Sequence, residues 1–294
     1  MADIAEQIRF GFLFERLEIT FSHGSIVPVS NFEQIAKAVS KLLHKDGYYY
    51  PPIEKDRVIK PGSKIARTVP KTKRPAHLFS IPASHVLYIV PAKPEKDVRE
   101  ASAGFILHLL SLLFQTRLQF ADWSIDGRIP IGSDRGISPI IYDPGIIGDR
   151  LSLGYEVWSG WPEPEQKRFV NILYMFSRSC IYEWDWEEFF IQYMVFDACW
   201  KMGEALFIDL KPKGRNRVPH GERPAKLFGR FGINHPLLSD VGELARLRNE
   251  LFHEATWNKG RPGHSSPTRR LKFAPGMTLR WLNDRLIRHF LGLQ

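Results

Sequence analysis

Residues 243–257 read ELARLRNELFHEATW, with the leucine spacing of a core helix interrupted by Arg248, Asn249 and His253. At about 100° per residue, Leu244, Leu247 and Leu251 fall on one stripe, while Asn249 and His253, four apart, share another face. Arg248 is rotated about 140° from His253, yet its long side chain reaches around the helix toward the imidazole. A groove holding all three would combine complementary chemistry. The imidazole moves protons near neutral pH, the guanidinium holds charge developing on a phosphate, and the carboxamide orients either of them. These residue types point to phosphodiester chemistry.

The segment LRNELFH resembles the signature of the HEPN superfamily, helical-bundle proteins in which an arginine and a histidine a few residues later form the active site of metal-independent ribonucleases. Arg248 and His253 match with four residues between them, and Asn249 matches the polar residue common straight after the arginine. Asp197, in YMVFDACWKM, lies where many such proteins carry an acidic residue on the preceding long helix. The resemblance covers residues 160–294 and implies an endoribonuclease with Arg248, Asn249, His253 and Asp197 in its site, RNA as partner, no metal and no cofactor. It also implies a homodimer in which two Arg248 and His253 sets face each other across a groove. His253 would serve as base or acid toward the ribose 2′-hydroxyl and the leaving oxygen, Arg248 would hold the phosphate, and Asn249 would orient the site. RNA would be cut and DNA spared, because only RNA offers the internal 2′-hydroxyl. Many relatives are toxins or antiviral defence effectors, so the N-terminal part would sense, restrain or position the nuclease.

The same letters recur in RNRVPH, Arg215 to His220, but Pro219 precedes the histidine and Gly214 and Gly221 flank the run, so no helix is expected there. That copy reads as coincidence or as part of a basic substrate-contacting loop. Ser25 beside His23, and Ser84 before His85, lack the Gly-x-Ser-x-Gly elbow of a serine hydrolase. The sequence has no glycine-rich phosphate loop, His-Glu-x-x-His pair or Cys/His cluster. Glu183, Asp185, Glu187 and Glu188 read as an acidic helix start, and Tyr48 to Tyr50 as an edge strand. Two other classes stay open: a non-catalytic nucleic-acid- or protein-binding module on the same helical scaffold, and a nucleotide-responsive regulator in which Arg248 holds a small phosphate-bearing ligand.

The elements that must position these residues divide near residue 160. Residues 1–160 mix strand and helix patterns and are read as an α+β domain; 161–294 are read as an all-α helical-bundle, HEPN-like domain. In the first part, LEITFSHGSIVPV predicts a hairpin turning at His23-Gly24, FEQIAKAVSKLLHKDG a helix closed by Gly47, and HLFSIPASHVLYIVPA a strand. GFILHLLSLLF, residues 104–114, predicts a buried helix too short to cross a bilayer. Residues 51–76 read as a long exposed loop or linker, and 118–160 as short strands and turns, one of them at Asp143-Pro144-Gly145. In the second part, two long helices, a short one, the motif helix and a final helix are expected.

Charge follows the same division. Residues 207–294 carry 17 Lys and Arg against 7 Asp and Glu, whereas 161–206 carry 4 against 8. A basic final third attracts polyanions, and its charge is concentrated in two loops flanking the motif helix. Lys211, Lys213, Arg215 and Arg217 in the first, with Lys259, Arg261, Arg269, Arg270 and Lys272 in the second, are the expected RNA phosphate contacts. The two cysteines, Cys180 and Cys199, lie in apolar stretches, and the N-terminus lacks the order of a signal peptide, so a reduced cytoplasmic setting without a membrane span is expected.

Overall fold

The structure is a computed structural model, and it describes residues 5–44, 47–50, 57–59, 66–68, 81–121, 123, 128–131, 143–182, 184–211, 218–233, 241–262 and 274–293. The mixed α/β part contains β1 (Glu6–Gly11), β2 (Ile19–Phe21), β3 (Gly24–Pro28), α1 (Phe32–Ser40), β4 (Tyr48–Tyr49), β5 (Arg57–Ile59), β6 (Ala66–Thr68), β7 (His85–Ile89), α2 (Ser102–Leu113), β8 (Gln119–Phe120), β9 (Ile129–Pro130) and α3 (Pro144–Ser159). The helical part that follows contains α4 (Glu163–Arg178), α5 (Asp185–Leu206), α6 (Arg223–Arg230), α7 (Val241–Asn249) and α8 (Pro275–Phe290).

Five strands form an antiparallel sheet in the order β2-β3-β7-β1-β8. The period-2 alternation of apolar residues sets its register: Ile8 and Ile26 both pair with Leu87, and all three are buried. The hairpin turns between Phe21 and Gly24, as its alternation predicts. Helix α2 is buried at every position and packs between the sheet and helices α3 and α4. An apolar helix without a polar face has no other stable place.

Three expectations for the first part are corrected. Residues 144–159, expected within a stretch of short strands and turns, form the 16-residue helix α3. Asp143 caps it by accepting from the Ile146 amide at 3.0 Å, and Pro144 occupies the first turn, so the apparent turn signal is a helix start. The glycines that weaken its helical pattern permit close packing: a Cβ on Gly148 would lie 2.2 Å from the Thr20 carbonyl oxygen. Within the expected linker, β5 and β6 pair antiparallel, while most of 51–76 lies outside the described residues. Helix α1 ends at Ser40 rather than near Gly47, because Leu43 instead bridges to Tyr49 and Gly47, at φ +81°, makes a turn.

Composition changes near residue 160, and the packing runs across that point. Phe105 of α2 stacks on Trp158 of α3 at 4.6 Å, and one buried cluster extends from Ile8 to Leu293. The Trp158 indole donates to the Gln166 carbonyl at 3.1 Å, pinning α3 to α4. Within the helical part, α5 packs on both α4 and α8. A buried polar chain ties them: Asn283 donates to the Gln192 side chain at 2.7 Å, and Gln192 donates to Ser179 at 2.7 Å. Breaking one link would leave a buried partner unsatisfied at a cost of about 1–3 kcal/mol. Among the described residues, no helix is long and apolar enough to cross a membrane.

Candidate functional site

Helix α7 is held by its leucines. Leu244 and Leu247 enter a small cluster with Phe189 and Tyr193 of α5, Leu279 of α8 and Trp257, and Leu251 packs against its edge. After Asn249 the helix widens into a π turn, Glu250–Glu254, capped by left-handed Ala255. A π turn hydrogen-bonds residues five apart, and five is the spacing from Arg248 to His253. Buried Glu250 secures the turn by accepting from the Arg246 side chain and, at 3.1 Å, from the Lys259 amide.

The widened turn brings the three motif side chains together. Arg248 Nη1 donates to Asn249 Oδ1 at 3.0 Å and to His253 Nε2 at 3.0 Å. A guanidinium has no acceptor, so in this contact His253 Nε2 is the accepting atom. Asn249 and His253 are exposed. The Arg248 guanidinium lies over the Phe252 ring at 4.8 Å and near Tyr193 at 6.0 Å, and Phe252 stacks on Phe190 of α5 at 4.9 Å. Arg248 Nε is buried and has no hydrogen-bond partner among the described residues. Aromatic faces, rather than carboxylates, seat this charge. Two positions earlier, Arg246 is paired with both Glu243 and Glu250. No carboxylate among the described residues pairs with Arg248.

Asp197 belongs to a second cluster. Its carboxylate accepts from Arg223 Nη1 of α6 at 3.0 Å and lies 3.5 Å from His220 Nδ1. Arg223 Nη1 also reaches His220 Nδ1 at 3.1 Å. The RNRVPH copy, which reads in sequence as coincidence or loop, thus delivers His220 to the acidic residue on α5. The run is indeed not helical at its end, where a turn closed by the Glu222 amide donating to the Pro219 carbonyl at 3.0 Å leads into α6. Sequence spacing could not show this pairing, because it closes a loop between α5 and α6.

Tyr193, one helical turn before Asp197, stands between the clusters. Burial first, then Asp197, push its phenol up to about 12, against the pull of Arg248 and Arg223. Its hydroxyl is buried and unpartnered among the described residues. The His220 imidazole is held below its ordinary value, first by burial and then by Arg223, Arg248 and Lys201, with Asp197 opposing. The two clusters therefore act on each other electrostatically. Tyr193, Phe252 and Arg223 carry no motif letter; only the four-residue spacing of Tyr193 and Asp197 on one face of α5 hints at their role.

The remaining candidates are placed as follows. Lys211, Lys259 and Arg261 are exposed, whereas Lys213, Arg215, Arg217, Arg269, Arg270 and Lys272 lie outside the described residues. His85 and Ser84 are buried together, with Ser84 Oγ 2.9 Å from His85 Nδ1 and accepting from the Leu13 amide; burial lowers His85 to about 4. That pair is core packing. Asp185 does more than start α5: it accepts from the Gly276 amide at 3.0 Å and so anchors α8, and burial raises it to about 6. Tyr48 and Tyr49 are buried in β4, which pairs with β9, and Tyr50 is exposed. Among the described residues, no group of three or more His, Cys, Asp or Glu side chains could hold a metal ion. Compared with known protein families, curated proteins and solved structures, the chain gives no match.

Proposed function

We propose that this chain is a metal-independent endoribonuclease whose site is built on Arg248, Asn249 and His253. The observation that carries the reading is the 3.0 Å contact between Arg248 Nη1 and His253 Nε2 at an exposed helix end, where no described carboxylate neutralises the arginine. An RNA phosphate entering there would draw the guanidinium away from the imidazole. That exchange places positive charge on the phosphate and releases Nε2 for proton transfer in one movement. Asn249 would keep Arg248 at the helix end throughout. The assembly implied by the HEPN resemblance, a homodimer through the helical part, and a role as toxin or antiviral effector, belong to the same proposal.

Incubating the full chain with RNA in excess chelator, beside His253→Ala, tests it. Cleavage to a 2′,3′-cyclic phosphate or its hydrolysis product, lost in the variant, is the expected result. A need for added divalent metal in the chemical step would overturn it. Tight RNA binding without cleavage would favour the non-catalytic module instead.

A further inference from the structure

Resting on the ribonuclease reading, we propose that His220 is the proton acceptor and His253 the proton donor of one composite site, with Asp197 and Arg223 holding the His220 ring through Nδ1. The geometry begins with that nitrogen, which lies 3.1 Å from Arg223 Nη1 and 3.5 Å from Asp197 Oδ1. Unprotonated, Nδ1 accepts from Arg223; protonated, it donates to Asp197. Either way the ring is tethered on one side. The 3.1 Å contact is the first arrangement, with the neutral ring's proton on Nε2; the base form is the second, reached when Nδ1–H turns to Asp197 and leaves Nε2 unprotonated. Asp197 then stabilises the imidazolium that forms when Nε2 takes a proton.

Position supports a shared site. Asp197 follows Tyr193 by one turn on α5, the Arg248 guanidinium lies 6.0 Å from the Tyr193 ring, and Arg248 lowers the proton affinity of His220. His220 is about a third exposed on its side chain, so solvent and substrate reach it. The lowered affinity keeps it neutral when RNA arrives, as a base requires. His253 is suited to the opposite task, because engagement of Arg248 by phosphate frees its Nε2 to carry a proton.

The step balances. His220 Nε2 takes the 2′-hydroxyl proton as O2′ bonds to phosphorus. The P–O5′ bond breaks as protonated His253 gives its proton to O5′. The products are a 2′,3′-cyclic phosphate and a 5′-hydroxyl, and the site is left with His220 protonated and His253 neutral. Proton exchange with water, or the reverse transfers during hydrolysis of the cyclic phosphate, resets it.

The test is single-turnover cleavage, in chelator, of an RNA oligonucleotide carrying either an ordinary linkage or a 5′-bridging sulfur whose thiolate leaves without a proton. Loss of a general base should slow both substrates, so His220→Ala is expected to lose about 10²- to 10⁴-fold on each. His253→Ala should lose a similar factor on the ordinary linkage and recover most of it with the sulfur. Asp197→Asn, which keeps the His220 ring, should slow both substrates by a smaller factor and serves if the alanine variant melts early. An unchanged rate in both His220→Ala and Asp197→Asn would overturn the inference and leave the ribonuclease reading standing. Rescue of His220→Ala by sulfur would reverse the two roles and also overturn it. A native chain no more active than His253→Ala would remove both the reading and the inference.

Discussion

In two places on this molecule an arginine Nη1 donates to a histidine nitrogen: Arg248 to His253 at 3.0 Å, and Arg223 to His220 at 3.1 Å. The carboxylate separates them. Arg223 is nearly buried and shares its Nη1 with Asp197, so that cluster is close to neutral and locked among α5, α6 and the turn between them. Arg248 rests on Phe252 and Tyr193 with no described acidic partner, at the exposed end of a single helix. Equal contact distances therefore conceal different capacities. The neutral cluster can hold a ring and tune it, whereas on the ribonuclease reading the charged one would exchange its histidine for a phosphate.

The largest expected difference concerns chemistry. His253→Ala should reduce cleavage by about 10²- to 10⁴-fold while leaving the melting temperature within a degree or two, since the exposed imidazole packs against nothing in the leucine cluster. If thermal unfolding shifts strongly instead, His253 supports the π turn, and the charged cluster is structural like its counterpart.

The next difference appears with pH. Asp197 and Lys201 of α5, Arg223 of α6 and Arg248 of α7 act on His220, and the net result with burial is a proton affinity below that of an ordinary histidine. A base must be neutral, so single-turnover cleavage should hold its plateau down to a pH below about 6.5 and fall roughly tenfold per unit under the shifted value. Asp197→Asn removes the one group that raises that affinity, so this limb should move further toward acid. A limb that stays fixed would separate His220 from the rate.

Stability offers a third contrast. Asp197→Ala leaves the nearly buried Arg223 without its carboxylate and should cost about 1–3 kcal/mol in chemical denaturation. Arg248→Ala loses contact with Phe252 but also removes a buried, unpartnered Nε, so its net cost should stay below about 1 kcal/mol. Equal costs would mean that Arg248 has a carboxylate partner after all.

This asymmetry also explains what the sequence could reveal. Contacts within one helix were readable: the Leu244 and Leu247 stripe, and the reach of Arg248 to His253, follow from helical angles. The π turn was not, because no residue type signals it; it depends on Glu250 finding Arg246 and the Lys259 amide after the chain has folded. The His220 contact needed a loop to close, and α3 was hidden because glycines that weaken helices also allow Gly148 to pack against Thr20. Alternation and apolar runs disclosed β2, β3, β7 and α2, where burial alone decides the structure.

Charge beyond the two clusters should produce a smaller, graded effect. Lys259 and Arg261 are exposed just after the π turn that follows Arg248. Neutralising either one should lower the log-log salt slope of RNA binding by about 0.7 if it contacts a single-strand phosphate, with little change in the chemical step at saturation. The same neutralisation at Lys226, already paired with Glu222 at 3.4 Å beside the other cluster, should leave the slope nearly unchanged. Equal slopes for all three positions would spread the RNA over the whole helical part.

The smallest effect tests the backbone that the charged cluster needs. Ala255 ends the π turn at φ +52° and ψ +33°, with its neighbour's fold-back secured by the Thr256 amide donating to the Glu250 carbonyl at 3.2 Å. A Cβ in the left-handed region costs about 1–2 kcal/mol, and glycine removes that cost while adding about 0.5–1 kcal/mol of unfolded-chain entropy. Ala255→Gly should therefore raise stability by up to about 1.5 kcal/mol and leave cleavage unchanged, because the residue lies outside the Arg248 to His253 contact. A loss of stability would mean residue 255 is not left-handed in solution. The turn would then continue as ordinary α-helix with His253 about 140° around it from Arg248, and the contact between them would depend on the arginine's reach alone.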